Sequence, residues 1–309
     1  MDEKALRIAV VGVGSLGQHH ARILSDLPGA TLVGVADTAT ARAQEIAGKY
    51  GTAAFARHED LPEVDGVVLA APTRVHRDLA VRFLERGVGV LCEKPMATTV
   101  GECEAILAAR DRGGAPLLVG HIEHFNPGVE ALRSRVEKPG FLEVHRLGVF
   151  VPRSLDVDVV LDLMIHDIEI AQSLVRRPLE RVEAVGVRVL TPFVDICNAR
   201  LTFQGGCVAN LTASRISRDK IRKLRLFQPA AYLSVDYSEQ SVEHYRLETE
   251  DGARNIVHVP VEVLKKEPLR CELEHFARVL RGEEAPQVSG EAARDAVSTA
   301  QSILACIAP

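Results

Sequence analysis

Between residues 6 and 120, short apolar runs alternate with segments whose apolar residues recur at helical spacing. The runs Arg7–Val13, Thr31–Ala36, Gly66–Ala71, Gly87–Cys92 and Pro116–Gly120 predict strands. Ser15–Ser25, Ala39–Tyr50, Val75–Arg86 and Thr99–Arg110 predict helices, each closed by Gly, Pro or a polar turn. This alternation belongs to a parallel sheet wrapped by helices. From about residue 140 the pattern changes: one strongly helical segment, Val160–Val175, is followed by strands at Val182–Leu190, Cys197–Phe203, Cys207–Ser214, Leu224–Phe227 and Tyr232–Asp236. Around Gln204-Gly205-Gly206, Ala199, Leu201 and Phe203 share one face, as do Ala209, Leu211 and Ala213, which predicts an antiparallel hairpin with one buried side. A closing helix, Gly290–Ile307, is expected to pack back on the body of the protein. The expected class is α/β, with a doubly wound parallel domain at residues 1–121 and an α+β domain at 122–309.

Composition narrows the function more than the fold. A chain of 309 residues, 47% hydrophobic and 26% charged, has a substantial core and length for two domains. A net charge of −5 gives no basic field for nucleic acid or anionic membrane, so a small or sugar-like substrate fits better. Six scattered cysteines form no CxxC pair and no regular spacing, so neither a zinc ribbon nor a disulfide framework is indicated, and a reducing cytoplasm is the expected compartment. The N-terminus lacks the layout of a signal peptide, and no stretch has the length and apolarity of a membrane span.

Four motifs carry chemistry. Gly12-Val-Gly14-Ser15-Leu16-Gly17 follows a strand and opens a helix, the setting of a dinucleotide-binding Rossmann fingerprint. Gly12 permits the tight turn, Gly14 lets backbone approach a pyrophosphate, Gly17 allows close helix packing, and the helix start supplies N–H donors. Asp37, at the end of the second strand, suits the adenosine ribose hydroxyls and would repel a 2′-phosphate; NAD is therefore favoured over NADP, which Arg42 could still accommodate. A glycine turn followed by an N-cap aspartate is the plainer alternative.

Ala71-Pro72-Thr73-Arg74-Val75-His76 lies at a strand's C-terminal end, where such sheets bind ligands. Thr73 reads as cofactor-proximal or as a helix N-cap, and His76 as cofactor-proximal or as a satisfied helix-start histidine. Glu93-Lys94-Pro95 ends another strand: Lys94 could stabilise a developing oxyanion at the nicotinamide edge, with Glu93 orienting the ammonium or the cofactor and Pro95 fixing the turn. A solvated strand exit is the plain reading of the same tripeptide. Asp162 and His166 lie one turn apart in the second-half helix, so a carboxylate can orient an imidazole that accepts a hydroxyl proton. Asp162 and Asp167 could instead be buried partners of arginine, or Asp156, Asp158, Asp162 and His166 a metal set; no second His–carboxylate set follows, and no metal is expected. His121-Ile-Glu123-His124 is read as extended, with Glu123 and His124 on opposite faces, and as a domain hinge.

The ordered set Gly12-x-Gly14-x-x-Gly17 with His20, Pro72 and His76, Glu93-Lys94-Pro95, and Asp162-x-x-x-His166 resembles the glucose–fructose oxidoreductase/myo-inositol dehydrogenase (Gfo/Idh/MocA) family over essentially the whole chain. That resemblance implies an NAD-dependent sugar or cyclitol dehydrogenase. Lys94, Asp162 and His166 match the family's active-site Lys-Asp-His set, and the second half would be an open, mainly antiparallel sheet serving substrate binding and assembly as a homodimer or homotetramer. Where many members carry a Gly-Gly pair before the aspartate, this chain has Asp158-Val159-Val160-Leu161. Gly120-His-Ile-Glu-His-Phe-Asn-Pro127, the run Val159–Asp167 and Arg225-Leu-Phe-Gln-Pro229 are similar to the subgroup of UDP-N-acetylglucosamine 3-dehydrogenases. The implied substrate is then a nucleotide sugar oxidised at C3, with His124, Asn126 and Arg153 joining Lys94, Asp162 and His166 in contact with it. Arg153, Arg215 and Arg218 could clamp its diphosphate. A free aldose or cyclitol is the alternative substrate, and a non-catalytic NAD-binding sensor the alternative class.

Overall fold

A computed structural model describes residues 5–151, 157–250 and 253–307, which form two compact units. The first comprises Met1–Ile122 and Glu267–Arg294. Its strands are β1 (Leu6–Val11), β2 (Ala30–Ala36), β3 (Ala54–Phe55), β4 (Gly66–Leu69), β5 (Gly89–Glu93) and β6 (Leu117–Gly120), all parallel in the order β3-β2-β1-β4-β5-β6. That order is the doubly wound dinucleotide-binding arrangement. Helices α1 (Gly17–Leu24), α2 (Thr40–Tyr50), α3 (His76–Leu84) and α4 (Val100–Gly113) follow the predicted segments, each starting one or two residues later, and α4 runs on past the predicted Arg110 to Gly113. β1 stops at Val11 because Gly12 turns the chain with φ +85°.

The segment 267–294 returns to this unit, which a single boundary at 121/122 does not include. Its helix α7 (Pro268–Leu280) adds Leu269, Leu273, Phe276 and Ala277 to the core around Ile8, Val10, Leu24 and Val68. The packing is tight: a Cβ on Gly66 or Gly89 would come within 2.6 or 2.2 Å of Leu280.

The second unit comprises Glu123–Lys266 and Asp295–Pro309. After α5 (Pro127–Arg133) come β7 (Phe141–Leu147), α6 (Ile165–Val175), β8 (Leu179–Val187), β9 (Ile196–Phe203), β10 (Val208–Ser214), β11 (Ile221–Gln228), β12 (Ala231–Asp236), β13 (Ser241–Glu250) and β14 (Ala253–His258). They build one mixed, mainly antiparallel sheet, β14-β13-β12-β11-β7-β10-β9-β8, in which only β7 and β10 run parallel. The predicted hairpin is present, with Leu201 opposite Ala209, Ala199 opposite Leu211 and all four buried, and Gly205 and Gly206 supply positive φ at the turn. α6 packs on β7 and β10. The last helix, α8 (Gly290–Ile307), has the predicted bounds, and the division between units falls within it. All six cysteines are free, and no helix among the described residues is long and apolar enough to cross a membrane.

Candidate active site

The glycine loop has the form a dinucleotide needs. A Cβ on Gly17 would stand 1.8 Å from the Gly12 carbonyl oxygen, so this glycine keeps α1 against the loop, while a Cβ on Gly14 would meet nothing within 4 Å. Gly14, Ser15 and Leu16 are exposed and no side chain caps α1, so the loop before the helix start presents an open backbone surface. Asp37 accepts the Val13 N–H at 2.8 Å and the Ala39 N–H at 2.9 Å, so its carboxylate is pinned against the loop with lone pairs left for ribose hydroxyls. Arg42 is engaged on all sides: Nε donates to the Val13 carbonyl, and the two terminal nitrogens donate to Glu45 and Gln18. These residues fit NAD.

At the neighbouring strand ends, Ala71 and Pro72 lead into a 3-10 turn, Thr73–Val75, so Thr73 does not cap α3. His76 is buried, with Nε2 2.8 Å from the Ala71 carbonyl and Nδ1 3.1 Å from that of Pro95, and it links the β4 exit to the β5 exit. His76 thus stands between the two strand exits, next to the backbone that leads out of Lys94. Lys94 itself is half-buried and follows β5 through a cis bond to Pro95. Glu93 is buried, takes the His20 Nε2 at 2.7 Å on one oxygen and faces the Lys94 N–H at 3.3 Å with the other.

At the start of the second unit, a 3-10 turn, Ile122–Phe125, opened by Ile122, the last residue of the first unit's first segment, replaces the extended chain expected from sequence. It turns Glu123 and His124 into two buried ion networks. Arg146 donates twice to Asp167, at 2.8 Å each, and once to Glu123 at 2.9 Å. Burial pulls the Arg146 guanidinium down, but these two carboxylates outweigh it and hold it well above its ordinary value. His124 lies between Arg133, 2.8 Å from its Nδ1, and Glu169 at its Nε2, while Asn126 caps α5 by accepting the Gly128 N–H and donates to the Tyr237 carbonyl. Both were expected to touch substrate; in the structure their polar atoms engage these partners within the fold. Arg153 and Asp156 lie outside the described residues.

The expected continuous helix 160–175 begins as a π-helical turn, Val160–Met164, and only then becomes α6. Asp158 anchors it, accepting the Val194 N–H on its side chain and the N–H groups of Leu161 and Asp162 on its carbonyl. Asp162 therefore sits on a widened turn and His166 in the first turn of α6, both half-buried; such π-turns recur at functional sites.

Asp162 lines a cavity of about 210 Å³ whose other polar walls are Arg146, Arg215, Lys220 and Arg222. Arg146 and Arg222 are cross-strand partners on β7 and β11, at core-facing positions in register with Val144 and Leu224. Arg215, one of the three expected clamp residues, is buried and donates to the Val157 carbonyl, so it also ties down the approach to the π-turn; Arg218 is exposed. Sequence reasoning missed Arg146, Lys220 and Arg222. The available signal was Arg146, a charge on the apolar face of an alternating strand.

Residues 6–121 match an oxidoreductase family described as an NAD-binding Rossmann fold (GFO/IDH/MocA), and residues 130–228 match the GFO/IDH/MocA C-terminal domain. A UDP-N-acetylglucosamine 3-dehydrogenase of Acidithiobacillus ferrooxidans is 34% identical over 303 residues, covering 96% of this chain and 95% of its own. A scyllo-inositol 2-dehydrogenase (NAD(+)) of Bacillus subtilis is 25% identical over 308 residues, covering 93% and 90%. The solved structure of a UDP-N-acetylglucosamine 3-dehydrogenase from A. ferrooxidans superposes with a TM-score of 0.92 at 33% identity, covering 98% of both chains. With this likeness along the whole chain and the glycine cradle in place, the protein belongs to the GFO/IDH/MocA family of NAD-binding oxidoreductases.

Proposed function

We propose that the protein oxidises the 3-hydroxyl of UDP-N-acetylglucosamine, or of a closely similar nucleotide sugar, to a ketone. The observation that carries this reading is the cavity that sets the Asp162 carboxylate among Arg215, Lys220 and Arg222: a carboxylate suits sugar hydroxyls, and clustered cations suit a diphosphate. A neutral cyclitol carries no anionic group for such cations to bind. The likeness to UDP-N-acetylglucosamine 3-dehydrogenases supports the same choice.

In this reading the first unit is the cofactor domain and the second the substrate domain. NAD supplies the hydride acceptor, held by Gly12, Gly14, Ser15, Leu16, Gly17 and Asp37 and approached by the strand exits at Ala71–Thr73 and Glu93-Lys94. His166 takes the hydroxyl proton, since hydride leaves an alcohol carbon readily only as the O–H bond opens. Asp162 orients the imidazole and the sugar. Lys94 donates a hydrogen bond to the same oxygen and stabilises its developing negative charge. The test is NADH absorbance with purified protein, NAD, UDP-N-acetylglucosamine or inositols, and a trap for the ketone. Lys94→Met is expected to abolish turnover while NAD still binds. Retained turnover in that variant sinks the role of Lys94, and oxidation of inositols alone sinks the nucleotide-sugar reading.

We also propose a homo-oligomer joined through the second unit's sheet, working in the cytoplasm. Its outer face carries an aromatic ladder, Phe141, Phe227, Tyr232, Tyr245 and His258, with neighbouring ring centroids 5.1–6.1 Å apart. Analytical ultracentrifugation of the wild type and of Phe227→Glu tests it, and a monomeric wild type removes it.

A further inference from the structure

Beside the backbone of Lys94, the first unit buries two carboxyl groups and an imidazole from three different elements. His20 of α1, Glu93 at the end of β5 and Glu272 of α7 each place a side-chain nitrogen or oxygen within 4.8 Å of the others, and all three are buried, His20 and Glu272 completely. Glu93 is occupied by His20 and faces the Lys94 N–H, whereas neither oxygen of Glu272 has a hydrogen-bond partner. Two ionised carboxylates this close, away from water, repel strongly, and the stable arrangement for such a pair is one shared proton. We infer that Glu272 is a neutral carboxylic acid that donates its proton to the Glu93 carboxylate, and that it is a positioning residue for Lys94.

The electrostatics point the same way: burial first, and then the Glu93 charge, push the Glu272 carboxyl well above the usual carboxylate range. The titratable groups that face it are His20 from α1 and Glu93 from β5. With the proton in place, Glu93 is held by His20 on one side and by Glu272 on another, and the β5 exit that leads into Lys94 keeps one conformation. Once the proton is lost, two negative charges share a dry pocket directly behind that exit. The Glu272 carboxyl titrates higher in the folded than in the unfolded chain, so its contribution to stability is present in full at low pH and is lost as pH rises toward its folded value. The link to catalysis rests on the role proposed for Lys94; the shared proton does not.

The experiment uses the full chain. Infrared spectroscopy of the wild type near neutral pH should show the C=O stretch of a protonated carboxylic acid that Glu272→Gln removes. Glu272→Gln, whose amide still donates to Glu93, should keep turnover close to wild type and gain thermal stability over it as pH rises. Glu272→Leu, with no donor, should lower kcat/KM on the order of 100-fold with NAD affinity retained, as for an ångström's misplacement of a reacting group. Should Glu272→Leu fail to fold, the Gln variant and the infrared band still decide. A carboxylic acid band unchanged in Glu272→Gln overturns the inference. So does a stoichiometric divalent metal in the purified protein that this variant loses, because the cluster would then be a metal site. Wild-type turnover in Glu272→Leu removes the positioning role alone. An inactive wild type that still shows the band counts against the dehydrogenase reading and leaves the pair standing.

Discussion

Adding one methyl group at Gly14 should separate folding from cofactor binding. A Cβ there meets nothing within 4 Å, and Gly14 does not have a positive φ, so Gly14→Ala should unfold within about 0.5 kcal/mol of wild type. The same methyl fills the surface over which a pyrophosphate would approach the backbone. Loss of one charge-assisted hydrogen bond, about 1.5–3 kcal/mol, weakens NAD roughly 10- to 150-fold. Gly17→Ala is the contrasting case: its Cβ would stand 1.8 Å from the Gly12 carbonyl oxygen and 3.3 Å from Ala70 Cβ, so the loop or α1 must move. That costs about 1–3 kcal/mol or more, in addition to lost binding. Thermal unfolding without cofactor, paired with NADH fluorescence titration, measures both quantities for each variant. If Gly14→Ala binds NAD like the wild type at an unchanged melting temperature, the pyrophosphate does not cross Gly14 and the cradle is misread.

Lys220→Ala and Arg222→Ala should raise KM for a nucleotide sugar about tenfold or more each, with kcat and NAD affinity little changed; equal kinetics in all three proteins would remove the diphosphate reading. Arg146→Met leaves Asp167 and Glu123 buried without their cation, and it should destabilise the second unit by about 3–5 kcal/mol in urea unfolding, with Arg146→Met/Asp167→Asn recovering part of the loss. Burial pushes the Asp195 carboxyl up, yet the N–H groups of Leu190, Thr191 and Val189 hold it down, from 3.8 to about 2. Such a depressed carboxyl contributes about 2.5 kcal/mol above pH 4, lost as pH falls through about 2. Asp195→Asn should therefore flatten the acid limb of the stability curve, and an unchanged limb refutes the assignment.

The parts of the fold that could be read from sequence are those where burial is written as a period. Continuous apolar runs marked β1, β4, β5 and β6 because both faces of a parallel strand are covered, and strict alternation marked β9 and β10 because only one is. β13 and β14 escaped notice because they are largely exposed and show no clean apolar face. β7 escaped because its inward set, Leu142, Val144 and Arg146, ends in a charge whose compensation by Asp167 and Glu123 is a tertiary fact. The same holds for the sites. The local geometry of Gly12, Gly14, Gly17 and Asp37 was legible, whereas Arg222, Lys220 and Glu272 acquire their surroundings from strands and helices distant in sequence. The π-turn at Asp162 shows the limit of spacing arguments, since four residues equal one turn only where the helix is α.

Helix α7 also sets an order of events during synthesis. Leu273 and Phe276 complete a core begun by Ile8 and Val10, and the segment that carries them is made only after the whole of 123–266 has been synthesised. The glycine cradle is thus translated well before the helix that completes its support. A fragment ending near residue 121 would expose the apolar surface that α7 covers, and residues 1–122 joined by a short linker to 267–294 would be the smaller piece to express alone.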